Sequence, residues 1–170
     1  MRKAALVALA AAVLASQAVT QEPAKPGPEH QLLKKREGTW DTTMKAGGKE
    51  HKGAVTFKME LGGLWLVGSL ESDLDGRKFY GKGLDTYDAK KKKYVGVWFD
   101  SMGTTPMIME GDLDAQKKTL TMVGEGPGMD GKLTRWKSVS EMPDDDTVEM
   151  RMYVGDGKEP MFTVTYKRKK

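Results

Sequence analysis

The chain has 170 residues, with 28 Lys and Arg against 24 Asp and Glu, 12 Met and no Cys. Without Cys there are no disulfides, no thiolate metal ligands and no acceptor thiol for an N-terminal lipid, so stability has to come from a packed core. Four of the basic residues are the terminal Lys167, Arg168, Lys169 and Lys170, and a basic tail rather than a basic face argues against nucleic acid as a partner.

Arg2 and Lys3, the apolar run Ala4 to Ala15 and the small-residue sites around Ala18 and Thr20 have the order of a secretion signal. The run is shorter than the roughly 20 apolar residues of a membrane-spanning helix. The expected organisation is a signal peptide over 1–20, a Pro-rich flexible spacer over 21–28 and a single domain over 29–170, without stable membrane insertion after cleavage. The mature protein is expected in the periplasm or outside the cell. Its charge, once Arg2 and Lys3 are gone, is 26 basic against 24 acidic, or +2.

Pro28 and Glu29 suit the first turn of a helix, Lys34 to Arg36 suit its last turn, and Gly38 stops it. From Thr39 the apolar period becomes two. Ten short segments follow: Thr39 to Met44, Val55 to Glu60, Leu64 to Leu70, Phe79 to Tyr87, Tyr94 to Ser101, Met107 to Leu113, Thr119 to Glu125, Leu133 to Glu141, Val148 to Val154 and Met161 to Arg168. Leu64 to Leu70 is apolar at nearly every position and reads as covered on both faces. Turn residues separate the segments, among them Gly47-Gly48, Asp73 to Gly76, Lys90 to Lys93, Asp144 to Asp146 and Gly155 to Lys158. The four lysines read as a solvated hairpin that discourages edge pairing, with an anion-attracting rim as the sharper alternative. Short loops and no crossover helix predict antiparallel neighbours, and ten strands remove both sheet edges by closing. The fold class expected is an all-β, ten-stranded up-and-down barrel with a short N-terminal helix; a Greek-key sandwich is the alternative.

Several stretches carry a recognisable pattern. Glu29-His30, Gly38-Thr39-Trp40, Gly81, Gly83, Tyr87-Asp88, Lys93-Tyr94, Trp98 to Thr104, Gly111, Lys118 to Thr121, Gly131-Lys132, Met152-Tyr153, Gly157 to Glu159 and Tyr166 make the chain resemble the domain of unknown function 1579 family. The most specific part is Trp98-Phe99-Asp100-Ser101-Met102-Gly103-Thr104. The resemblance implies a calycin-like barrel over nearly the whole mature chain and implies no activity. The chain departs from that pattern in a shorter Glu125 to Gly131 loop, in Lys167 after the final Tyr, and in a less acidic Val67 to Ser69.

Few residues offer chemistry. His30 and His51 are the two histidines; a zinc site usually takes three or four ligands. Haem held as in ten-stranded nitrobindins needs an axial His, and neither of the last two strands carries one, which leaves only His30. The acidic turns lack the closing carboxylate of a calcium loop. No nucleophile elbow or Ser–His pairing is present, and nothing in their spacing marks Asp100 and Glu110 as a glycosidase pair. No catalytic residue, metal ligand or cofactor is therefore assigned.

The expected ligand-binding residues are Trp98, Asp100, Met102, Arg135 and Lys137. Trp98 and Asp100 share one strand face, and a buried carboxylate needs a basic partner, for which Arg135 and Lys137 are the paired candidates. The bland alternative is a core Trp98, a turn-capping Asp100 and solvated basic residues. Abundant Met would give a pliable apolar lining. The leading expectation is a non-enzymatic exported barrel holding a small, partly apolar ligand. The alternatives are an enzyme with a carboxylate and basic site inside the barrel, and a structural or protein-binding envelope component.

Overall fold

The protein is described here by a computed structural model covering residues 22–128 and 130–170; the expected signal peptide lies outside them. A short helix α1 (His30–Lys35) precedes β1 (Gly38–Ala46), β2 (Lys49–Glu60), β3 (Trp65–Leu74), β4 (Arg77–Asp88), β5 (Lys93–Asp100), β6 (Met107–Asp114), β7 (Thr119–Pro127), β8 (Leu133–Asp144), β9 (Thr147–Val154) and β10 (Phe162–Arg168). Each strand pairs antiparallel with its sequence neighbours, and β10 pairs with β1. The result is the expected closed up-and-down barrel rather than a sandwich. The helix is shorter than the Glu29 to Glu37 expected, because no side chain caps its N-terminus and Arg36 already ends it.

Register fixes which side chains enter the barrel. One row across the sheet runs Asp85, Gly96, Met109, Gly124, Trp136 and Val154; the next runs Tyr87, Tyr94, Gly111, Met122, Ser138, Met152 and Phe162. Buried members of these rows join Trp40, Val55, Phe57, Leu66, Leu120 and Val148 in one core cluster, to which α1 adds Leu33. The Leu64 to Leu70 run is less symmetrical than expected. Leu66 is fully buried inside, whereas Trp65 and Val67 are only half-buried outside.

Inward glycines leave room for large neighbours. The Trp98 indole lies over Gly81 and Gly83, and a side chain at Gly81 would collide with the ring. Gly81→Ala is expected to push the indole from its seat at a cost of about 1–3 kcal/mol. Urea denaturation and near-ultraviolet circular dichroism should both change; an unaltered near-ultraviolet spectrum would show that the ring does not depend on this glycine.

The hairpin chemistry is as the turns predicted. Asp88 Oδ1 accepts from the backbone N–H of Lys90 and Lys91, and Lys91 and Lys93 pair with Glu110 and Asp112 on the outer face. Two of the four lysines are thereby engaged across β5 and β6 and do not form a free rim. Gly76 N–H donates to Asp73 Oδ1 at 2.6 Å and Asp146 N–H to Asp144 Oδ1 at 2.8 Å, so these acidic turns cap themselves.

Candidate ligand-binding site

The antiparallel alternation gives the barrel two unlike ends. One end carries α1, the start of β1 and the end of β10; the other carries the β1–β2, β3–β4, β5–β6, β7–β8 and β9–β10 connections. At the second end, Trp98 and Asp100 share one strand face, as their spacing predicts, and that face turns inward. Trp98 Nε1 donates to Asp100 Oδ2 at 2.9 Å, and Met102 N–H donates to Asp100 Oδ1 at 2.9 Å. Ser101 N–H donates to the Tyr80 carbonyl at 2.8 Å, and Tyr80 N–H donates back to Ser101 Oγ. The Trp98 to Thr104 stretch therefore pins the β5–β6 loop to the barrel rim.

Arg135 and Lys137 do not join them. Both stand on the outer face of β8, Arg135 exposed and Lys137 with its ammonium 4.5 Å from the Tyr153 ring centre. The bulky Trp136 takes the inner face opposite Gly124, which turns its two neighbours outward. The pairing of Asp100 with Arg135 or Lys137 is thus corrected. Asp100 sits at a partly accessible rim, where two N–H donors suffice and no buried counter-charge is required. Met102 is 66% exposed and stands outside the lumen wall. Glu110 faces outward, on the opposite side of the sheet from Asp100, so the two carboxylates form no pair.

Polar groups collect near the helix-bearing end, from residues not assigned from sequence. Arg36, at the C-cap of α1, places its guanidinium 4.8 Å from the Phe57 ring centre and 5.7 Å from that of Tyr166, both inward-facing. Its Nε is buried without a hydrogen-bond partner. Asp85 lies on the inner face of β4, between Leu66 and Gly96. Burial raises its carboxyl above the ordinary range, and the Arg36 charge only partly offsets that. Among the described residues no ion pair or hydrogen bond joins Asp85 to Arg36, and Asp85 keeps some accessible surface despite facing inward. Burial likewise raises the Tyr166 phenol, with Arg36 opposing and the Asp85 carboxylate adding to the shift.

Two more unpartnered donors are buried. Trp136 Nε1 has no acceptor and neither has His30 Nε2. His30 Nδ1 accepts the Gly27 N–H at 3.0 Å, which leaves the neutral ring's proton on Nε2. His30 meets Tyr87 edge-on, Tyr87 meets Tyr94, and Tyr94 donates its hydroxyl proton to the Glu29 carbonyl at 3.1 Å. Burial first, then Glu29 and Tyr87, push the Tyr94 phenol up to about 12. Among the described residues, three buried N–H donors thus lack acceptors, two from α1 and its cap and one from β8.

The helix that brings Arg36 in is held from below. Trp40 Nε1 donates to the Arg36 carbonyl at 3.0 Å, and Met59 N–H donates to Glu37 Oε1 at 2.8 Å. Arg168 closes the same end. Its guanidinium lies 4.1 Å from the Trp40 ring centre and donates to the carbonyls of Glu37 and Lys35, each at 2.6 Å. It also donates to the Asp145 carbonyl and to Asp146 Oδ1. A residue that reads as part of a basic tail is therefore a clamp across the barrel's closing seam.

No match is found among curated proteins. A solved structure described as a redesigned beta barrel is 16% identical with a TM-score of 0.46, covering 81% of this chain and 95% of its own. The sequence profile described as protein of unknown function (DUF1579) matches residues 25–168, nearly the whole of the barrel and its helix, and the chain belongs to that family.

Proposed function

We propose that this is an exported binding protein whose barrel holds a small, partly apolar molecule in its lumen. The observation that carries this reading is the set of unpartnered donors, Arg36 Nε, Trp136 Nε1 and His30 Nε2, buried in a barrel whose inner face mixes an apolar cluster with Thr42, Asp85, Ser138, Ser140 and Tyr166. A buried polar atom without a partner costs roughly 1–3 kcal/mol, and a ligand acceptor removes that cost. The apolar remainder of the wall, rich in Met, suits a ligand body of adaptable shape. Trp98 and its fixed loop would then border the entrance, and Arg36, Asp85 and Tyr166 would meet the polar end.

Native mass spectrometry of protein recovered from a secreting host tests the reading. A bound mass of small-molecule size, lost on denaturation, is expected; protein that is ligand-free after gentle recovery, and that takes up nothing from a lipid and metabolite extract, would refute it. The second reading, an enzyme, is favoured by one observation, the raised carboxyl of Asp85 beside a guanidinium and a phenol. It would be seen as chemical change in the bound compound during incubation.

Export belongs to the same proposal. The intact mass from that host should correspond to a chain beginning after Ala18 or Thr20; retention of Met1 to Ala15 would overturn it.

A further inference from the structure

We propose that the helix-bearing end of the barrel docks on an anionic phospholipid surface, with the Leu61 side chain entering the headgroup layer and Lys25, Lys34, Lys58, Lys90 and Lys92 meeting the headgroup phosphates. This docking does not depend on what the lumen holds. Leu61 begins the turn Leu61–Gly63 that joins β2 to β3, at φ 49°, with Gly62 at 72° and Gly63 at 83°. A non-glycine residue in this left-handed region carries strain. Leu61 gains no packing in return, since it is 72% exposed and stands outside the core cluster. Pro26 Cγ lies 3.2 Å from where a Cβ on Gly63 would stand, so the segment ahead of α1 runs beside this turn and adds exposed Pro26 to it.

Charge is divided across the same end. The Asp144 to Asp146 carboxylates occupy the β8–β9 turn, where Lys35 pairs with Asp145 at 3.5 Å and Arg168 with Asp146 at 2.9 Å. Around α1 and on the side of β2 to β5, Lys25, Lys34, Lys58, Lys90 and Lys92 are all exposed, and among the described residues none of the five forms an ion pair. Against them stand exposed Glu22 and Glu60 and half-buried Glu29, while Asp88 is taken up by the backbone N–H groups of Lys90 and Lys91. An exposed leucine among lysines in excess suits anionic lipid, because the phosphates attract each lysine and the leucine leaves water. The covalent chain points to the same occupant. Ala15, which ends the apolar run, is eleven residues before Pro26, a reach of roughly 40 Å at full extension. A signal run lodged in the export membrane would tether the barrel by the end that carries Leu61 and these lysines.

Flotation of the mature protein with vesicles of phosphatidylcholine alone, and of phosphatidylcholine with an equal part of phosphatidylglycerol, tests the docking. Partition to the anionic vesicles is expected to exceed that to the neutral ones by at least about tenfold at low ionic strength and to fall as salt is added. Leu61→Gly removes the side chain and keeps the turn, since φ 49° suits glycine. It should lower partition to the anionic vesicles by about threefold or more. Lys90→Gln together with Lys92→Gln should lower it about tenfold and leave the neutral vesicles unaffected. Equal partition to the two vesicles, binding to neither, or undiminished binding in either variant would overturn the proposal. Loss in the lysine variant with none in Leu61→Gly would assign the lysines to an acidic polymer or protein instead, and overturns it too. Circular dichroism checks the fold of both variants, and the two sites are separate, so a misfolded variant leaves the other to decide. The lumen reading is untouched by any of these outcomes.

Discussion

Arg168→Ala should destabilise the barrel by about 2–4 kcal/mol and lower its melting temperature by on the order of ten degrees. The guanidinium donates to four acceptor groups, three backbone carbonyls and the Asp146 carboxylate, and stacks on the nearly fully buried Trp40. Hydrogen bonds from a charged group are each worth more than neutral ones, and the Lys35 and Glu37 carbonyls, where α1 ends, lose their donors when it is removed. The side chain is only 25% exposed, so water replaces these contacts poorly. Arg168→Lys should recover less than half of the loss, because one ammonium cannot reach acceptors on α1 and on the β8–β9 turn while lying flat on an indole. Equilibrium urea unfolding measures both variants. A change under about 0.5 kcal/mol for Arg168→Ala would mean that the clamp is ornamental and that β1–β10 pairing alone closes the barrel.

Asp85→Asn should have the opposite sign, and its effect should depend on pH. Burial raises the Asp85 carboxyl above its unfolded value, with Arg36 only partly offsetting the shift. Its contribution to stability is therefore full below the ordinary carboxylate range and is lost as pH rises through the raised value in the folded protein. The Asn variant carries no such loss. At pH 4 the two proteins should unfold at nearly the same urea concentration. By pH 7 to 8 the variant should be more stable by on the order of 1 kcal/mol, a few degrees in melting temperature. A variant less stable than the parent at every pH would mean that the charged carboxylate has a strong partner in the lumen. A gain that is constant with pH would point to packing rather than ionisation.

The sequence was readable where alternation and turn chemistry agree. Ten strands, closure and nearly every hairpin followed from period two and from Gly, Asp and Lys turns, because a half-buried strand has to alternate. That Trp98 and Asp100 share a face followed from the same rule, but which face turns inward did not. β8 was not readable, since Trp136 and Val139 are both apolar and lie on opposite faces, so local pattern could not say which parity is inside. The two inward serines, Ser138 and Ser140, are buried, against the usual preference of their type. The error on Arg135 and Lys137 comes from that strand. Asp85 could have been found, as it alternates with Gly81, Gly83 and Tyr87, all in the resembling pattern. Arg36 and Arg168 could not, because each reads as an ordinary charge at an element's end, and only the folded chain shows that one enters the lumen and the other clamps the seam.

The seam has a consequence for how the chain is made. Arg168 bonds the Glu37 and Lys35 carbonyls across 131 and 133 residues of sequence, and β1 keeps an unpaired edge until β10 arrives. Closing so long a loop is entropically expensive and delays the final contacts. A chain still emerging from the ribosome lacks the one strand that completes the cylinder. The closed interior and the helix at its end then come into being together, in the last step. The interior is therefore sealed only after the whole chain has been made.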